Sequence, residues 1–228
     1  MEAEGSIRLR RGGRFLPSGF NRARYFSYNT RWRLATTRGA PFHNIGMPKR
    51  RGRFRMNVER FWKLIESSRS GFDPERIDGN MERQREELRR LLLQLSPEEI
   101  LDFRNHLLER MAAAFHWDLW GAAYLIAGGC SDDGFADFRS WLISMGRRVF
   151  EAAVSDAESL ADVADAPGVE DVFFEEFQYV PAQAYEELTG QEPPEYAGPA
   201  PVEPAGERWS EGNLAQRFPK LWARYQQG

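Results

Sequence analysis

"SPEEILDFRNHLLERMA", residues 96–112, decides how the chain is read. Ser96 is an N-cap residue, and Pro97 suits the first helical position, where its missing N–H has no partner to lose. Glu99, three residues on, completes a capping box by reaching back to the Ser96 N–H. Behind this start signal Ile100, Phe103, Leu107, Met111 and Ala114 recur at steps of three and four, which predicts a helix with one apolar face.

Working outward, the same punctuation repeats. "WDLWGAAYLIA", residues 117–127, is apolar nearly all round from Leu119 to Ala127, as a helix in the middle of a bundle would be. Gly128 and Gly129 stop it. The next helix, predicted from about Asp133, turns Phe135, Phe138, Trp141, Leu142, Met145 and Val149 inward, with Ser140, Arg147 and Arg148 mostly outward. Residues 155–190 read as short acidic helices, broken near Pro167 and Pro181 and ended by Gly190.

On the N-terminal side, "MERQREELRRLLLQL" (81–95) carries Leu88, Leu91, Leu92 and Leu95 at helical spacing, with Glu86 and Arg90 set for an i,i+4 pair. A turn-rich link, "GFDPERIDGN", separates it from "VERFWKLIESS" (58–68), which places Val58, Phe61, Trp62 and Ile65 on one face. Past residue 190, "QEPPEYAGPAPVEPAGE" (191–207) is an acidic Pro/Gly linker with no core-forming residues. Ser210 then caps a final helix that docks through Leu214, Phe218, Leu221, Trp222 and Tyr225. No alternating hairpin pattern and no internal repeat is found. The expectation is all-α: a compact multi-helix domain over residues 56–228.

The net charge of −3 conceals a polarised chain. Residues 1–55 hold 14 Lys+Arg against Glu2 and Glu4, whereas residues 151–228 hold 4 against 16 acids. Arginines interleaved with Gly, Pro and lone aromatics predict a disordered basic leader over 1–55, because it has too little apolar surface to offset ordering. The reading favoured for it is an over-extended translation start, since Met56 opens an amphipathic helix at once and the basic residues are nearly all arginine. Two others stand beside it: an arm that binds nucleic acid by phosphate contact and stacking, and a targeting peptide. No apolar run of about 18 residues predicts a membrane span. One cysteine excludes an internal disulfide and any multi-cysteine zinc site, and the cytosol is the expected compartment.

Residues 116–163, "HWDLWGAAYLIAGGCSDDGFADFRSWLISMGRRVFEAAVSDAESLADV", resemble the bacterial domain-of-unknown-function family numbered 4240. The resemblance runs from "FWKLIE" near residue 61 to "RFPKLWARY" at the far end, about three quarters of the sequence, with 1–55 outside it. It implies an α-helical domain, in a family loosely linked to regulator-like proteins, and brings no established activity or catalytic residues.

The candidate site lies around "LIAGGCSDDGF", residues 125–135. Ser131, Asp132 and Asp133 offer carboxylates for a metal or for activating water. The preferred reading is a helix cap with charge complementing the helix dipole. Asp118, flanked by Trp117 and Trp120, needs a partner if buried, and Arg139 is the expected one, as a structural ion pair or as part of a ligand site. Cys130 has no thiol-enzyme motif around it and reads as a small buried thiol. His116 falls about 160° from the apolar stripe of the preceding helix and His106 on its flank, without metal-site spacing. The aromatic set around Trp120 reads as core before pocket.

No phosphate loop, metal-ligand cluster, catalytic triad or cofactor motif is found, so neither cofactor nor metal is expected. The leading expectation is therefore a non-catalytic interaction or ligand-sensing module for a protein or small molecule. A hydrolase using Asp118, Asp132, Asp133 and Arg139 is the rival, and nucleic-acid binding through 1–55 the third.

Overall fold

The capping box at Ser96 forms as its residues dictate. Ser96 Oγ accepts from the Glu99 N–H at 3.3 Å, and Glu99 Oε2 accepts from the Ser96 N–H at 3.0 Å. The computed structural model describes residues 56–226, and the expectations about residues 1–55 lie outside the described residues. Within them the helices are α1 (Val58–Ser68), α2 (Asn80–Leu92), α3 (Pro97–Ala113), α4 (Trp117–Ala127), α5 (Asp132–Ser144), α6 (Arg147–Ser155), α7 (Val180–Thr189), α8 (Leu214–Arg217) and α9 (Pro219–Tyr225). Short 3₁₀ turns occupy Ala157–Asp162, Glu175–Tyr179 and Glu211–Asn213. Among the described residues there is no strand, and no helix is long and apolar enough to cross a membrane.

Helix α3 packs on α7 and α5, α2 on α1 and α7, and α5 on the Glu175–Tyr179 turn. The apolar faces meet where the periodicity places them, with Phe61, Ile65, Leu88, Ile100, Phe103 and Phe138 fully buried. A polar seam runs beside this core. Gln84 Nε2 donates to the Ser144 carbonyl at 2.7 Å, and Asn80 Nδ2 donates to the Asp73 and Gly168 carbonyls at 2.8 and 2.9 Å. Buried amides placed this way tie α2 to α5 and to two loops, because an unmet buried donor costs more than the bond itself returns.

Five local expectations are corrected. The helix expected to run from Asp133 through Val149 breaks at Gly146, whose φ of +91° is unfavourable for a residue with a Cβ. The break re-phases the apolar face, so that Phe150 and Ala153 are the buried residues of α6. Ser140, expected outward, is fully buried with no hydrogen-bond partner for its hydroxyl. Arg90 does not pair with Glu86. It grips Glu87 with two bonds of 2.7 and 2.6 Å, since a forked guanidinium favours a bidentate partner one turn back. Arg85 takes Glu86 together with Glu82.

The Pro/Gly stretch of 191–207 contributes more than a linker should. Pro193 is buried, and the Pro194 carbonyl accepts from Arg104 Nη1 at 3.0 Å. The Trp117 N–H donates to the Ala205 carbonyl, and the Ala205 N–H to the Phe115 carbonyl, each at 2.9 Å. Gly206 lies so close to the His116 ring that a Cβ there would stand 2.3 Å from Cε1. Composition misses this anchoring because it is made by backbone groups. Finally, the single C-terminal helix is two. Phe218 sits at φ −130°, ψ 63°, as the clash with Pro219 pushes a preceding residue out of the α region.

Candidate functional site

Helix α4 begins at an unusual cap. His116 Nδ1 accepts from the Asp118 N–H at 3.2 Å, satisfying one of the free donors of the first turn. Asp118 adds negative charge at the same helix end, where the dipole favours it. Its Oδ1 accepts from Arg217 Nη2 at 2.6 Å and Nε at 2.8 Å, which binds α4 to α8. The expected Asp118–Arg139 pair is thus not formed.

Arg139 has other work. Its Nη1 donates at 2.7 Å to the Met111 carbonyl, one of the last four of α3 and without an intrahelical partner. Its Nε donates to the Phe135 carbonyl at 3.3 Å, and the guanidinium lies over the Phe115 and Phe135 rings at 4.6 and 5.0 Å. Burial pushes Arg139 down to about 10, still far above neutrality. The cation is matched by carbonyl oxygens and ring faces, and it ties α5 to the C-terminus of α3.

At the other candidate position, Ser131 Oγ accepts from the Gly134 N–H at 3.1 Å and caps α5. Asp132 and Asp133 are exposed in its first turn. Trp120 Nε1 donates to the Cys130 carbonyl at 3.0 Å, which folds the turn back on α4. The Trp120 ring is stacked between Trp117 and Phe135, at 5.1 and 5.0 Å between centroids. The 125–135 stretch therefore works as a joint. Trp120, Cys130 and Ser131 are brought together there, while Asp118 pairs with Arg217, Arg139 bonds the end of α3, and Asp132 and Asp133 stand in the first turn of α5.

A concavity that takes in one of these residues lies elsewhere. A cleft of about 460 Å³ opens beside the start of α4, with Asp118 as the sole sequence-derived candidate on its wall. His116 and Leu119 form one side, Val154 to Glu158 a second, and Glu207, Asn213, Gln216, Arg217 and Phe218 the third. Four carboxylates face it, from Asp118, Asp156, Glu158 and Glu207, against one guanidinium. Several of these groups also hold the walls. Asp156 Oδ1 accepts from the Glu158 N–H at 3.0 Å, and Glu158 Oε1 accepts from the Lys220 N–H at 2.6 Å, capping α9. Among the described residues no group of three or more His, Cys, Asp and Glu is arranged to hold a metal ion. Sequence reading misses Arg217 and Gln216 because nothing local marks them; the residues facing them across the cleft lie about 60 to 100 positions away in the chain.

The ion pair is testable. Asp118 and Arg217 keep side-chain exposures of 39% and 20%, so water competes for both. Asp118→Ala and Arg217→Ala are each expected to cost about 0.5–1 kcal/mol in urea unfolding, with a coupling energy of similar size. Asp118→Ala and Arg139→Ala share no partner and are expected to add within about 0.5 kcal/mol. Strong coupling between Asp118 and Arg139 would contradict this assignment.

A family model described as a protein of unknown function (DUF4240) matches residues 56–187. No curated protein and no solved structure matches the chain. The matched residues hold α1 to α6 and most of α7, so the third wall of the cleft lies beyond them.

Proposed function

The chain belongs to the DUF4240 family, and from that premise we propose that it is a non-catalytic ligand-sensing module of the cytosol whose recognition site is the cleft beside α4. The observation that carries this reading is the cleft itself. Its volume is within the range of roughly 300–1,000 Å³ in which small-molecule sites fall. Its polar groups converge from three separate segments. A non-catalytic role is supported by how those groups are spent: Asp118 on Arg217, and Glu158 on the amides that open α9. An excess of carboxylates over cations favours a small polar ligand with a positively charged group, while Val154, Ala157 and Phe218 supply an apolar side for its carbon skeleton.

The test is a thermal-shift and NMR titration of the full chain with putrescine, agmatine and arginine, with succinate as the anionic counterpart. Amines are expected to raise the melting temperature and shift the amides of Asn213 and Gln216. Glu207 is exposed, so Glu207→Gln is expected to leave the free protein's melting temperature unchanged and weaken amine binding about tenfold. Preference for succinate, or binding indifferent to Glu207→Gln, would overturn the assignment.

A further inference from the structure

The segment from Glu203 to Gln226 is held to the rest of the described structure in a particular way. Leu214, Phe218 and Leu221 are buried, and α9 packs on α4 and the Ala157–Asp162 turn. The fit is close: a Cβ on Gly121 would stand 2.6 Å from the Phe218 ring. Around this apolar strip the fastenings are polar and lie near solvent. Arg224 pairs with Asp165 at 2.9 Å and Asp162 at 3.3 Å, Tyr124 donates to Glu211 at 2.8 Å, and Gln226 Nε2 donates to the Leu125 carbonyl at 2.9 Å.

Two features make the segment a unit of its own. Its helices have 4 and 7 residues, far below the length of about 12–15 at which an isolated helix becomes even marginal in water. They are formed only while docked, so they are lost together when the segment leaves. The chain that leads to it, 191–202, is largely exposed and Pro-rich, with Pro193 buried and the Pro194 carbonyl held by Arg104. That is the makeup of a hinge between a folded body and a terminal cover.

We infer that residues 203–226 are a clasp that opens as one cooperative unit while the remainder stays folded, and that occupancy of the cleft holds it shut. The second half rests on the cleft reading above. The clasp supplies Glu207, Asn213, Gln216 and Arg217 to the cleft, and the body supplies His116, Asp118 and Asp156. Opening takes the site apart. A ligand that touches both walls binds only the closed form, so by linkage it suppresses opening by the factor 1 + [L]/Kd. Ligand level is thereby converted into exposure of the apolar face of α4, which is the output a sensor needs.

Hydrogen exchange of the full chain, read amide by amide at neutral pH, tests the clasp without any ligand. The Phe218, Trp222 and Gln226 amides, with Trp117 and Ala205 across the bridge, are expected to exchange at a common rate at least tenfold faster than the amides of α3 and α5. Raising salt to about 0.5 M is expected to speed that set severalfold by screening the fastenings, with α3 unchanged. Arg224→Glu, a change at a half-exposed side chain, is expected to speed it about tenfold and again spare α3. Exchange of the clasp amides at the same rate as α3, under all three conditions, would overturn the clasp. Putrescine at about 100 times its Kd is expected to slow the clasp amides about a hundredfold. Binding without slowing removes the coupling and leaves the clasp. Absence of amine binding removes the cleft reading, and the salt and Arg224 arms then decide the clasp alone.

Discussion

Gly168→Ala is expected to lower the unfolding free energy by about 2–4 kcal/mol, although the change adds a single methyl group. Gly168 has φ +82°, where an L side chain is strained. A Cβ there would lie 2.7 Å from Phe72 Cζ, 2.8 Å from the Asp73 carbonyl oxygen and 2.9 Å from Pro74 Cα. Two of those three atoms are backbone, and that backbone is not free to retreat. Asn80 clamps both loops at once, since its Nδ2 holds the Gly168 and Asp73 carbonyls while its Oδ1 accepts from the Asp73 N–H at 3.0 Å. Gly190→Ala is the matched control: φ is +68° there too, but nothing lies within 4 Å of the added Cβ. It is expected to cost about 1–2 kcal/mol, the conformational part alone. Urea unfolding of the two variants side by side measures the difference. Equal midpoints would mean that the Asn80 clamp yields, and the packing account of this seam would fail.

Cys130 is expected to be alkylated by iodoacetamide about a thousandfold more slowly in the folded chain than after unfolding in urea, at pH 8. Burial, followed by the negative charge of Asp137, pushes its thiol from 9.0 up to about 12, and nearby Arg139 offsets part of that rise. The thiolate is the reactive form, so three orders of magnitude in its population become about three in rate. Neither histidine assists it: His106 Nε2 contacts the Met56 carbonyl at 2.8 Å, and His116 caps α4. The same shift has a stability consequence. The folded value is above the unfolded one, so the thiol's contribution is fully present below about pH 9 and is lost as pH rises towards about 12. Cys130→Ser is expected to flatten stability against pH in that window. The expected small buried thiol is in fact only half-buried, and alkylation of the folded chain at the rate of a free thiol would refute the suppression of its thiolate.

Much of the fold was legible because its cause is local. The Ser96 box, the Ser131 cap and the Gly128 stop each involve donors and acceptors within a few residues of one another, and a residue pattern is enough to specify them. The apolar faces of α1 and α3 follow from helical geometry alone, so Phe61, Ile65, Ile100, Phe103 and Leu107 are buried as their spacing requires. Gly146 shows the limit even here. The apolar pattern runs on past it, and the break comes from a backbone turn that periodicity does not register.

What the sequence by itself determined is therefore the helical class, most helix starts and stops, and which faces turn inward. Tertiary structure alone decided the partners. Asp118 needed a cation, and composition offered Arg139 a helix away, but the chain selected Arg217, 99 residues on. The reason is that Arg139 could satisfy its donors on the unpaired carbonyls at the end of α3, between two ring faces, once α5 lay against α3. The cleft has the same origin. Its walls come from α4, the end of α6 and a C-terminal segment that returns across α4, and the bridge that guides that return is made of backbone N–H and C=O groups at Phe115, Trp117 and Ala205. Every residue carries those groups, so no residue pattern announces where they will meet; only the packing of distant segments brings them into register.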